Sequence, residues 1–113
     1  MLFRSKGIAL CAGMRSVDVE GATGNVHTNF IGKAEAAIRE LENGQDFVYI
    51  HVEAADESGH RNELENKLDS IEQIDDKIMR PVMDYLKNCG DDYKVMVLPD
   101  HPTPLAQIGR AHV

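Results

Sequence analysis

The chain has 113 residues, enough for one domain with a modest core. Hydrophobic residues make up 42% and charged residues 27%, and the formal net charge is −7 with no Lys/Arg cluster, which excludes a phosphate-neutralising nucleic-acid face. The apolar runs are too short for a bilayer-spanning helix, and the N-terminal residues lack the charged-then-apolar layout of a secretory signal.

In chain order, Gly7–Cys11 (GIALC) is a short apolar run ending at Ala12-Gly13, and it is expected to be a buried strand. Ser16–Val19 is a second extended candidate. Gly21–Asn25 (GATGN) reads as a loop whose glycines can take positive φ. Thr28 or Asn29 is placed to cap a helix running to about Glu42. In that helix Phe30, Ala34, Ala37, Ile38 and Leu41 fall at helical spacing, and Asn43-Gly44 stops it. Phe47–Val52 (FVYIHV) is rich in β-branched and aromatic residues and apolar on both faces, the pattern of a parallel strand covered by helices. Leu64, Leu68, Ile71, Ile74 (or Asp75), Ile78, Val82 and Leu86 then repeat at three and four, which predicts one long helix with one buried face. The charges on its other face, from Glu65 to Lys77, read as a solvated surface. Pro81 is expected to kink or divide this helix. Asn88–Asp92 is a turn, and Tyr93–Leu98 (YKVMVL) is another buried strand.

Strand, helix, strand, helix, strand is the order of an α/β fold. The expected architecture is three-layer, with a mostly parallel sheet flanked by helices and joined by right-handed crossovers. The two cysteines, Cys11 and Cys89, do not form a metal-type pair and read as buried free thiols of a reducing cytoplasm; their positions alone leave a disulfide open.

Sites in open parallel sheets lie beyond the C-terminal ends of the strands. Phe47–Val52 is followed by Glu53-Ala54-Ala55-Asp56-Glu57-Ser58-Gly59-His60, and Tyr93–Leu98 by Pro99-Asp100-His101-Pro102-Thr103-Pro104. Each segment offers an Asp and a His, a donor pair suited to Zn²⁺, Mn²⁺ or Fe. Asp56 and His60, four apart, can converge on one ion across a turn or the first turn of a helix. Asp100 and His101 are adjacent, so on extended backbone they point opposite ways and serve two ions, or one ion and a supporting contact. The prolines stiffen that loop. Either pair alone is more simply a capping Asp and a surface His; both pairs at consecutive strand ends favour a metal site. His51, inside a strand, reads as a core histidine or one supporting a ligand. Glu53 reads as a support for the metals or a plain loop residue. Lys33 has the reach for phosphate, but a solvated lysine is the simpler reading. Ser58 has no base placed for it at short range, and His27 has no evident role.

The strings GATGNVHTNFIGKAEAAI, FVYIHVEAADESGH and VMVLPDHPTP resemble the archaeal-type, 2,3-bisphosphoglycerate-independent phosphoglycerate mutases of the alkaline phosphatase superfamily, from Lys6 to about Ala106. The resemblance implies part of an alkaline-phosphatase-like core in a glycolytic isomerase. That enzyme interconverts 3-phosphoglycerate and 2-phosphoglycerate by phosphoryl transfer through a phosphoserine, with two divalent ions clamping the transferring oxygens. Mn²⁺ is the first expectation, with Zn²⁺, Mg²⁺ or Co²⁺ as alternatives. Carried over by motif, Asp56 and His60 would hold one ion, and Asp100 and His101 the other. A further histidine, an aspartate, the nucleophilic serine and the substrate-binding cap would come from elsewhere in a longer chain. The segment is therefore expected to be inactive alone, with phosphoglycerate as partner, no nucleic acid or membrane partner, and a cytoplasmic location. The alternatives are a homoserine-kinase-like or metal-dependent phosphatase member of the same superfamily, or a non-catalytic α/β interaction module.

The two ends depart from the family pattern. IGRAHV is the translation of ATCGGAAGAGCACACGTC, a common sequencing-adapter string, and MLFRS that of the complementary GTGCTCTTCCGATCT with GTG read as the start. Residues 6–107 are thus expected to be the native, partial metal-binding core, and residues 1–5 and 108–113 adapter-derived. Genomic sequence running past either junction would overturn this. On this reading His112 is not the missing histidine ligand.

Overall fold

The computed structural model describes residues 2–99, 101 and 102, with side chains from residue 6 onward. Its regular elements are helices: α1 (Leu2–Cys11), α2 (Phe30–Glu42), α3 (Ala54–His60), α4 (Leu64–Gln73), a π-helical turn (Ile74–Met79) and α5 (Arg80–Asn88).

Helix α2 begins where Asn29 takes the N-cap position. Its Oδ1 accepts from the Gly32 N–H at 3.0 Å, while its Nδ2 donates to the Glu20 carbonyl at 2.9 Å. One side chain thus starts the helix and ties down the loop before it. Phe30, Ala34 and Ala37 are buried along one face, as their spacing predicts, and Gly44, at φ 97°, ends the helix after Asn43. Between Asp56 and His60 the chain takes the helical of the two geometries open to it, as α3; Asn62, in left-handed conformation at φ 59°, lies just past the C-cap.

The long amphipathic segment is helical almost from end to end, but the middle is wound wider. Pro81 has no N–H for the preceding turn, and its ring would strike the Lys77 carbonyl in a regular α-helix. The π-helical turn relieves both, and the Arg80 N–H reaches back to the Asp75 carbonyl. One extra residue per turn rotates the helix beyond it by about 100°. This corrects the expectation of a single buried face. Ile78 and Val82 are buried, with Ile74 and Leu86 packed against them, while Leu64, Leu68 and Ile71 stand about half exposed.

The core joins Phe30 and Ala34 of α2, Ala54 of α3, Ile78 of the π-helical turn and Val82 of α5. Ile50 and Val52 pack against it from the extended segment before α3, so that segment is covered on one side. Its other side is open, with Phe47 and Tyr49 exposed. Tyr93–Leu98 lies outside any helix or strand and is exposed. Among the described residues no strand ladder forms, so the described residues show no sheet. A parallel strand needs a paired neighbour and cover over both faces, and the described residues cover Phe47–Val52 on one face only.

The GIALC expectation is corrected outright, because these residues lie in α1. Ile8 and Leu10 are exposed, so nothing covers a strand there, and local helical bonds satisfy the backbone instead. Cys11 is accordingly exposed rather than buried; Cys89 is half-buried, and both thiols are free. No helix among the described residues is long and apolar enough to cross a membrane.

Candidate metal centre

The extended segment ends at Glu53, the N-cap residue of α3. Asp56 lies in the first turn of that helix and His60 in the last, so their four-residue spacing puts them on one face. His60 Nε2 lies 3.3 Å from Asp56 Oδ1. His101 arrives from the distant proline-flanked loop and places its Nε2 3.5 Å from the same oxygen. The two imidazole rings are 5.6 Å apart between centroids and tilted by 54°. One ligand atom from each of the three residues lies within 4.8 Å of the other two.

The tautomer of His101 is set by its neighbour. Its Nδ1 is 3.0 Å from the Pro102 carbonyl, which can only accept, so Nδ1 donates there and Nε2 is the ring atom turned toward Asp56. That is how metal-binding histidines are usually oriented. Two imidazoles and a carboxylate brought this close together form a donor set suited to a divalent ion. All three side chains are partly exposed, which leaves room for non-protein ligands. Asp100, the fourth residue expected in the site, lies outside the described residues, as does His112.

Behind this cluster lies a second polar group. Lys33 is buried at 9% exposure, not solvated as expected, and its Nζ donates to the His51 carbonyl at 2.7 Å. His51 Nε2 and Glu53 Oε1 are 3.0 Å apart. The other oxygen of Glu53 rests against Gly24, where an added Cβ would lie 2.8 Å from it. The signal for a buried Lys33 is present in the sequence: it stands three after Phe30 and four before Ala37, on the apolar face of α2. Ser58 is buried and His27 exposed.

Burial pushes the Lys33 ammonium below its ordinary value of 10.5, and the Glu53 carboxylate only partly opposes this. Between the lowered value and 10.5 the unfolded chain holds a proton that the folded chain has released, so stability rises with pH through that window. The urea midpoint of the chain should therefore climb in the alkaline range below 10.5, and Lys33→Met should flatten the climb.

A helix-borne carboxylate and two converging imidazoles are a donor set of the kind that divalent-metal-binding domains use. The chain belongs to the Metalloenzyme superfamily, whose sequence signature matches residues 5–113. Membership carries an alkaline-phosphatase-like α/β fold.

The chain is 45% identical over 101 residues to the 2,3-bisphosphoglycerate-independent phosphoglycerate mutase of Methanosarcina mazei, covering 89% of this chain and 25% of that protein. It is 48% identical over 100 residues to the probable 2,3-bisphosphoglycerate-independent phosphoglycerate mutase of Geobacter sulfurreducens, covering 88% and 25%. It is 44% identical over 100 residues to the 2,3-bisphosphoglycerate-independent phosphoglycerate mutase of Methanothrix thermoacetophila, again covering 88% and 25%. The chain thus spans about a quarter of the length of these curated relatives. No solved structure matches it.

Proposed function

We propose that this chain is the metal-ligand segment of a 2,3-bisphosphoglycerate-independent phosphoglycerate mutase, a glycolytic isomerase acting in the cytoplasm. The observation that carries the reading is that His101, from the second loop, brings a ligand atom within 4.8 Å of those of Asp56 and His60, so the two pairs belong to adjoining ion sites. Asp56 and His60 serve one divalent ion, and Asp100 and His101 a second, with Mn²⁺ the preferred metal and Zn²⁺, Mg²⁺ or Co²⁺ as substitutes. When bound, such ions supply Lewis-acid stabilisation of the transferring phosphoryl group.

The chain's own residues do the rest of the local work. Helix α3 holds Asp56 and His60 at fixed spacing, and the Nδ1 proton of His101 is donated to the Pro102 carbonyl, which turns Nε2 toward Asp56. The nucleophilic serine and the phosphoglycerate-binding cap belong to other parts of the longer protein. In that protein Phe47–Val52 and Tyr93–Leu98 become strands of a three-layer, mostly parallel sheet. Their exposed apolar residues support this, since Phe47–Val52 is covered on one side only and Tyr93–Leu98 is exposed throughout, whereas a parallel strand is covered on both faces. Residues 6–107 are the native core segment in this reading.

The test is made on a full-length protein containing this segment. Stripping it with a chelator should abolish interconversion of 3-phosphoglycerate and 2-phosphoglycerate, and Mn²⁺ should restore it. Turnover undiminished by complete metal removal would overturn the proposal. Phosphate release without isomer formation would move the protein to the phosphatase branch of the superfamily.

A further inference from the structure

We propose that Lys33 is a positioning residue for the metal site: from α2 it tethers the backbone joint between the extended segment and α3, and so sets where Asp56 and His60 stand. The inference rests on the metal-site reading above. The tether is continuous. Lys33 Nζ holds the His51 carbonyl at 2.7 Å, and the His51 ring meets Glu53 Oε1 at 3.0 Å. Glu53 is the N-cap residue of α3, and its carbonyl accepts the Glu57 N–H at 2.9 Å, the first bond of the helix that carries Asp56 and His60. From the other side, Gly24 presses on Glu53 Oε2 so closely that a side chain there would have to displace it.

The direction of the energetics separates a positioning role from a structural one. An ammonium at 9% exposure, with one carbonyl partner and a nearby carboxylate, is costly to bury. An apolar side chain of similar length would fill the same space without that cost. Methionine at 33 should therefore fold at least as well, and a lysine kept only for stability would be the poorer choice. What methionine removes is the hold on the His51 carbonyl. Groups that orient metal ligands at one remove typically change metal affinity by about 10- to 100-fold when lost.

The experiment is Co²⁺ titration of the 113-residue chain, followed by its visible absorption, which reports the number and arrangement of ligands. In Lys33→Met we expect about 10- to 100-fold weaker Co²⁺ binding, an altered band shape and an unchanged or higher melting temperature. Gly24→Ala, which disturbs the same joint without touching the core, should weaken Co²⁺ binding in the same direction. Unchanged affinity and spectrum in both variants would overturn the inference while leaving the metal site standing. Absence of Co²⁺ binding by the unsubstituted chain would defeat the metal reading and this inference with it. A melting temperature that falls with affinity unchanged would make Lys33 merely structural.

Discussion

Replacing Asp56 with alanine is expected to erase the stabilisation that Mn²⁺ or Zn²⁺ gives the chain. An ion at one hundred times its dissociation constant adds about 2.7 kcal/mol to folding, which for a domain of this size raises the melting temperature by roughly 10–20 °C. Asp56 Oδ1 is the point on which both imidazoles converge, so its loss removes the charge and the centre of the donor set together. The metal-free protein should hardly notice, since the exposed contacts of Asp56 with His60 and His101 are worth about 0–1 kcal/mol. Thermal melts with and without metal make the measurement. A metal-dependent shift that survives Asp56→Ala would show that the ion binds elsewhere.

Gly32→Ala is expected to destabilise the chain, against the usual sign for glycine in a helix. An alanine normally gains about 0.5–1 kcal/mol there. Here the new Cβ would overlap Asn29 Nδ2, lie 2.7 Å from Asn29 Cγ and come within 3.0 Å of a Val19 methyl. Asn29 is not free to swing away, because one end caps α2 and the other holds the Glu20 carbonyl. Losing both bonds costs about 2 kcal/mol, which outweighs the helical gain and leaves a net loss of about 1–1.5 kcal/mol. The melting temperature should fall by roughly 5–10 °C. A rise on substitution would mean that Asn29 carries no such double duty.

Much of the helical framework is legible in the sequence because its determinants are local. Asn29, the Phe30–Ala34–Ala37 spacing and Asn43-Gly44 mark α2 from cap to stop, and the structure places the helix there. Asp56 and His60 are legible as a pair because four residues on a helix is a fixed geometry. That His101 joins them is not, since it depends on how a loop some forty residues away folds back. Lys33 is misjudged when residue type is weighed above position: lysine suggests solvent, but its place on the face of Phe30 and Ala37 decides burial. The GIALC strand fails for the opposite reason. Apolar composition suggests burial where the chain supplies no cover, and the helix forms by local bonding.

The wide turn at Ile74–Met79 also has a consequence for how this segment can change. Because it winds one residue more into a turn, the stretch between Ser70 and Val82 is one residue longer than a regular helix would need to present the same faces. Deleting one there would let the helix run on as a regular coil with Val82 and Leu86 still turned toward α2, whereas rewinding the turn without a deletion would swing them about a quarter turn away. The turn therefore holds one residue of slack, which the segment can lose here without moving what lies downstream.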